Sequence, residues 1–248
     1  MPGDIPLSLI LPMYNESGCI GRLLREIIYV CMNDLRVNAE IIVVDDASED
    51  TSTAIVENFV SKMMGETELN SLHKPTIKLI RHKIRKGQSD TLMDGFTVAQ
   101  GEILVSMDAD GQFDPREIPR LLELMKKFDF VCGVRQNRCD GLLRKFISLT
   151  ANCFRNMITG DTASDVGCTF RSMRRGCVES LLPYQGKLSG CEFFFHPLIL
   201  RRSGFRVGEV GVSHRPRSAG KSTYRLIRGR MGRGLEACIK IRELLSQK

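Results

Sequence analysis

Two rhythms alternate along the chain. Short apolar runs of strand length occur at residues 7–11, 40–44, 77–80, 103–107 and 130–134, and polar or glycine-containing residues follow each one. Between them the apolar residues take helical spacing: Ile20, Leu23, Leu24, Ile27 and Ile28; Ala54, Ile55, Phe59 and Met63; Ile118, Leu121, Leu122 and Met125. Strands that alternate with helices predict an α/β fold with a mostly parallel sheet flanked by helices on both faces. Pro115 sits where a first helical turn tolerates proline, and Asp114 before it is a natural cap. Beyond Gly141 the alternation weakens. Helices are predicted at 142–158 and 191–202, a strand at 206–212, and a loop rich in Gly, Ser and basic residues at HRPRSAGKSTY. The stretch 225–245 carries a helical apolar stripe with basic residues between, weakened by Gly229, Gly232 and Gly234. It predicts a basic amphipathic C-terminal helix.

With 248 residues the chain fits one sizeable core, since domains run to roughly 100–200 residues. The expected division is a catalytic domain over 1–224 and a helical appendage over 225–248. No apolar run approaches the roughly 18 residues needed to span a bilayer, so membrane spanning and secretion are both unsupported. Nine cysteines are scattered without a CxxC pair, and most read as small buried hydrophobes in a reducing compartment. Charge is uneven: residues 201–248 hold 13 Lys and Arg against 3 Glu, whereas the rest carries 23 basic and 26 acidic groups. A basic tail on a near-neutral body points to an anionic surface or ligand. Nucleic acid is a poor match, because beyond Arg206 the tail has a single Phe, Tyr or Trp, namely Tyr224, and so lacks stacking platforms.

In open parallel sheets ligands bind beyond the carboxyl ends of the strands. Those positions here hold Pro12, Tyr14 and Glu16, then Asp45 and Asp46, then His82 with Lys86, Gly87, Gln88 and Ser89, then Asp108, Asp110 and Gln112. Crowded carboxylates repel one another unless a cation compensates. Mg²⁺ or Mn²⁺ suits such a place, since both prefer oxygen and are commonly held by one or two carboxylates plus substrate phosphates. The first turn, PMYNESG, lacks the glycines of a dinucleotide-binding G-x-G-x-x-G, and no complete G-x-x-x-x-G-K-[ST] phosphate loop exists, although Gly220-Lys221-Ser222 mimics its end.

From about Leu7 to Tyr224, the motifs LPMYNE, VVDDASEDT, KGQS, DGFTVAQGEILVSMDADGQFDP, GVRQNR, RKFISLTAN, DVGCTFRSMRR and HRPRSAGKSTY occur in order. In this the chain resembles family 2 glycosyltransferases of the GT-A fold, in the branch of dolichol-phosphate mannose synthases and bacterial polyprenol-phosphate glycosyltransferases. The resemblance implies that Pro12, Tyr14, Glu16, Asp45, Asp46, Lys86 and Gly87 hold the donor nucleotide. It assigns Asp108, Asp110 and Gln112 to the metal and diphosphate, and Arg217 and Lys221 to a loop closing over that diphosphate. Thr223 stands where many relatives have lysine. Arg135, Arg144 and Ser148 would hold the acceptor phosphate, an arginine fork and a hydroxyl being suited to it.

The implied activity is inverting transfer of a hexose from a UDP- or GDP-linked sugar to a dolichyl or undecaprenyl phosphate. Such a protein would lie peripherally on the cytoplasmic face of a membrane, against its anionic surface or a membrane-anchoring subunit. An anionic acceptor needs positioning more than a base. Asp165 and Glu192 are the candidate bases if the acceptor is a glycan hydroxyl. A catalytically silent binding protein is the third reading.

Overall fold

A computed structural model of the chain describes residues 6–65, 73–136, 142–217 and 228–246. Six of the expected strands are present: β1 (Leu7–Met13), β2 (Ala39–Asp45), β3 (Thr76–Arg81), β4 (Ile103–Ser106), β5 (Phe130–Gln136) and, last in the chain, β7 (Val207–Ser213). A further strand, β6 (Arg171–Arg174), lies in a stretch to which the sequence pattern assigns no element. The sheet order is β3-β2-β1-β4-β6-β5-β7. All neighbours are parallel except β6, which runs antiparallel to both β4 and β5.

Alternation along the strands sorts the core into two layers. Leu9 and Leu11 of β1 and Ile41 and Val43 of β2 face one way. There they meet α1 (Ile20–Tyr29), α2 (Ser52–Gly65) and α4 (Ile118–Leu124). Ile10, Ile42 and Val44 face the other way, toward α3 (Gln88–Val98), α6 (Gly176–Leu181), α7 (His196–Arg202) and α8 (Arg228–Ser246). α1 buries Ile20, Leu23, Leu24 and Ile27, the helical stripe read from the sequence, and runs on into a π-helical turn, Val30–Leu35. Asp114 caps the turn Pro115–Glu117 by accepting from the Arg116 N–H at 3.0 Å. The helix expected at 191–202 is split: a 3-10 turn, Glu192–Phe195, precedes α7, whose first turn holds Pro197. α5 (Leu142–Thr159) packs against α8.

Close approach of α3 to the sheet depends on Gly95. A Cβ there would lie 2.5 Å from Ile10 Cγ2 and 3.1 Å from Val44 Cγ2. Packing at that distance aims the N-terminus of α3 at the carboxyl ends of β1, β2 and β4. At the opposite edge, buried Glu40 accepts from Ser8 Oγ (2.7 Å), Lys78 Nζ (2.6 Å) and the Gln100 N–H, and so joins β1, β3 and the turn before β4.

Candidate active site

The first two βα turns are laced together. Asn15 adopts a left-handed φ of 55°, which a short amide side chain tolerates. Its Oδ1 accepts from the N–H groups of Glu49 (2.8 Å) and Asp50 (3.3 Å), and Glu16 N–H donates to Ser52 Oγ at 2.8 Å. Asp45 is fully buried, accepting from Ser48 N–H (2.9 Å) and Thr53 Oγ1 (2.6 Å), so it fastens this turn from within. Asp46 accepts from the backbone N–H of Lys86 (2.7 Å) and of Gly87 (2.9 Å), with His82 Nδ1 3.0 Å away. Those bonds hold its carboxyl below the usual range against the opposing effect of burial. Lys86 reaches Asp94 at 2.6 Å, and Gly87 takes a φ of 93° that few other residues adopt. Pro12 is half-buried on β1. Tyr14 is half-buried too, and the Arg85 guanidinium lies over its ring, 3.8 Å from the centroid.

Beyond β4 the chain brings three carboxylates into one corner. Asp108 accepts from Gln88 Nε2 at 2.9 Å, which ties the D-x-D to the start of α3. Burial and then the charge of Asp110 push the Asp108 carboxyl up, against the pull of Arg135 and Gln88. Asp110 accepts from Gln112 N–H (3.0 Å) and from Arg217 Nη2 (2.7 Å). The same guanidinium reaches Glu16 Oε1 at 3.1 Å. Glu16 Oε2 is buried with no hydrogen-bond partner among the described residues. Its carboxyl rises to about 7, chiefly through burial; Arg217 opposes the rise, and Asp110 and Asp108 add to it. Gln112 is half-buried, and its side-chain amide donates to the Arg215 carbonyl at 3.1 Å.

No group of three His, Cys, Asp or Glu side chains among the described residues forms a complete metal cage. Asp108 and Asp110 instead supply two carboxylates, in a corner whose burial and mutual repulsion favour compensation by a cation. That donor set fits Mg²⁺ or Mn²⁺, ions that complete their shell with water and phosphate oxygens.

A second constellation lies beside the first. Arg135 pairs bidentately with Asp165, Nε–Oδ2 at 2.8 Å and Nη2–Oδ1 at 2.7 Å. Gly167 makes room for that fork, since a Cβ there would lie 2.9 Å from Arg135 Nη2. Arg171 is fully buried and donates to the carbonyls of Cys168 (2.8 Å), Phe193 (2.9 Å) and Val166 (2.6 Å), with its guanidinium 3.6 Å from the Phe193 ring centroid. One side chain thereby fixes both the Asp165 loop and the Glu192 turn. Glu192 is buried; Oε1 accepts from Leu188 N–H at 2.8 Å, and Oε2 has no hydrogen-bond partner among the described residues.

The structure thus gathers Glu16, Asp108, Asp110 and Arg217 at one point, with Asp46, Lys86 and Gly87 in the neighbouring turn. Arg144 and Ser148 belong to α5, but their side chains lie outside the described residues, as does Lys221 altogether. The sequence alone gives no role to Arg85, Gln88 or Arg171. Gln88 sits in a quoted motif, KGQS, and Arg171 follows Phe170 in another, but Arg85 has no signal beyond its place in a run of basic residues.

This seven-stranded architecture, with one reversed strand, has counterparts among known proteins. The chain belongs to glycosyl transferase family 2, whose model matches residues 8–182. It is 33% identical over 219 residues to the undecaprenyl-phosphate 4-deoxy-4-formamido-L-arabinose transferase of Pseudomonas fluorescens, covering 88% of this chain and 60% of that protein. To the enzyme of the same name from Aeromonas hydrophila it is 34% identical over 230 residues, covering 90% and 64%. The chain therefore spans a little over three-fifths of the length of these curated relatives. Among solved structures, glucosyl-3-phosphoglycerate synthase of Mycobacterium tuberculosis, in complex with Mn²⁺, UDP and phosphoglyceric acid, superposes with a TM-score of 0.67 at 17% identity, over 95% of this chain and 79% of that one. A mannosyltransferase of Pyrobaculum calidifontis, with GDP-mannose and Mn²⁺, gives 0.64 at 18% identity, over 100% and 66%. These likenesses confirm the GT-A fold.

Proposed function

We propose that this chain transfers a sugar, with inversion, from a UDP- or GDP-linked donor to a polyprenyl phosphate, in a reaction that depends on Mg²⁺ or Mn²⁺. The observation that carries this reading is the corner where half-buried Asp108 and Arg217 meet buried Glu16 and Asp110, in a chain whose 33–34% identical relatives are named undecaprenyl-phosphate transferases. Asp108 and Asp110 would hold the cation, which supplies charge stabilisation for the departing nucleoside diphosphate. Tyr14, Arg85 and Asp46 frame the side of the site where the nucleoside would lie, and Lys221 would join Arg217 over the diphosphate. Arg135, with Arg144 and Ser148 on α5, would receive the acceptor phosphate, whose oxygen is already anionic and attacks the anomeric carbon without a base. The bidentate pair with Asp165 supports a positioning role for that carboxylate, because the Arg135 guanidinium engages both of its oxygens.

The lipid would approach along α5 and α8. Phe154 and Met157 of α5 and Leu235 and Ile239 of α8 are exposed, Met157 to 74%, beside exposed Lys240 and Arg242. No helix among the described residues is long and apolar enough to cross a membrane. This face instead suits the anionic cytoplasmic surface of a membrane or a membrane-anchoring subunit, with 1–224 as the catalytic unit and 225–248 as the docking helix. A glycan hydroxyl acceptor is the second reading, favoured by Glu192 Oε2, which has no hydrogen-bond partner among the described residues, as a base. Release of nucleoside diphosphate from a panel of UDP- and GDP-sugars, with and without a short polyprenyl phosphate and divalent cation, decides between them. Release that needs both cation and lipid supports the first reading, whereas release stimulated by a glycan alone supports the second.

A further inference from the structure

Arg217 does more in this structure than await a diphosphate. Its fork spans the mouth of the D-x-D corner, Nη2 on Asp110 Oδ2 and Nη1 on Glu16 Oε1. The other oxygen of Asp110 already accepts from the Gln112 N–H, so both carboxylate oxygens are engaged. A guanidinium cannot lose its proton in a protein, so it meets an incoming cation as a like charge at the same oxygen. The chain leading to Arg217 is meanwhile held in place. Arg215 N–H donates to the Gln112 carbonyl at 2.7 Å, the Gln112 amide donates back to the Arg215 carbonyl, and the Arg215 guanidinium pairs with Glu26 (3.1 Å) and Asp114. Two residues beyond this anchor, only the Arg217 side chain has to turn.

We propose that Arg217 is a resident counter-ion of the D-x-D that a divalent cation displaces, and that the displaced guanidinium then pairs with the donor diphosphate. Cation and donor therefore bind cooperatively: the cation alone leaves the guanidinium without its carboxylates and the donor alone leaves the carboxylates without a counter-ion, whereas together they compensate both. The inference rests on the reading of Asp110 as a cation ligand. A staple that merely ties the post-β7 segment to the sheet would bear no relation to cation affinity, which gives the two roles opposite signatures.

The test is Mn²⁺ binding to the intact chain without nucleotide, followed by the paramagnetic signal of free Mn²⁺, in wild type, Arg217→Gln, Arg217→Lys and Asp110→Asn. Arg217→Gln is expected to bind Mn²⁺ at least about fivefold more tightly than wild type, a factor at the lower end of typical coupling between sites. It is also expected to bind UDP or GDP more weakly in the presence of Mn²⁺. Arg217→Lys, which keeps the charge but cannot span both carboxylates, should fall between, and it carries the test if the glutamine variant does not fold. Asp110→Asn should lose Mn²⁺ binding. If it does and both Arg217 variants bind Mn²⁺ no more tightly than wild type, the exchange is wrong while the cation site stands. If Asp110→Asn keeps wild-type affinity, the cation site and the exchange fall together.

Discussion

Glu16 shows how the site's chemistry feeds back on stability. Its carboxyl is raised from 4.5 to about 7, so between those values the folded protein holds a proton that the unfolded chain has released. Stability from this group is present below about 4.5 and is lost as pH climbs through about 7, up to about 3 kcal/mol for a difference of this size. Glu16→Gln removes the dependence. Urea unfolding of the metal-free protein at pH 5.5 and 8 should therefore show the variant gaining on wild type at the higher pH, and an equal difference at both would refute the burial argument. At Asp110, the exchange to Asn should cut transfer by at least a hundredfold while the urea midpoint stays near wild type; unchanged turnover would remove Asp110 from the cation site. Much at this scale was legible in sequence, because a carboxylate just past an apolar run is visible as a position. What was not visible is partnership. Asp45 and Asp46 both qualify by position, yet one is buried under Ser48 and Thr53 and the other receives the N–H groups of Lys86 and Gly87, bonds made by residues up to 41 positions away.

Among the elements, α3 and β6 contribute most to placing those residues. Gly95→Ala pushes a methyl into Ile10 and Val44, and overpacking of this kind costs typically 1–3 kcal/mol. The same shift moves Gln88 away from Asp108, so both the urea midpoint and turnover should fall; a fully active, fully stable variant would show that α3 can slide without consequence. Replacing Arg171 by Leu leaves the carbonyls of Val166, Cys168 and Phe193 without their donor. At about 1–3 kcal/mol for each buried group left unsatisfied, a loss of at least about 3 kcal/mol is expected in denaturant unfolding. The helices and parallel strands were readable because each repeats its apolar period several times. β6 was not, since its four residues, RSMR, are mostly polar, and buried Arg171 meets carbonyls rather than water. The split at Glu192–Phe195 was equally hidden, because three consecutive phenylalanines carry no period.

For the molecule as a whole, the exposed apolar residues of α5 and α8, together with the basic residues of α8, predict association with anionic vesicles that weakens as salt rises. Met157→Glu combined with Ile239→Glu should lower vesicle binding about tenfold or more in co-sedimentation, with the unfolding midpoint little changed because both side chains are exposed. Equal binding by the double variant would relocate the contact. Composition disclosed the basic tail but not the order of the strands, which depends on contacts between segments far apart in the chain. That order has a practical side. Because β6 runs against its neighbours, Ser106 pairs with Arg171 and Ile103 with Arg174, so the chain enters it from the ligand rim and leaves at the far rim. The turns after β6 and between α7 and β7 therefore lie on the far rim, on the other side of the sheet's width from the chemistry. A fluorophore or short peptide inserted near Gly204, where φ is already 87°, would report on the protein without entering the reaction. The same insertion between α5 and β6 would land beside Arg135 and Asp165.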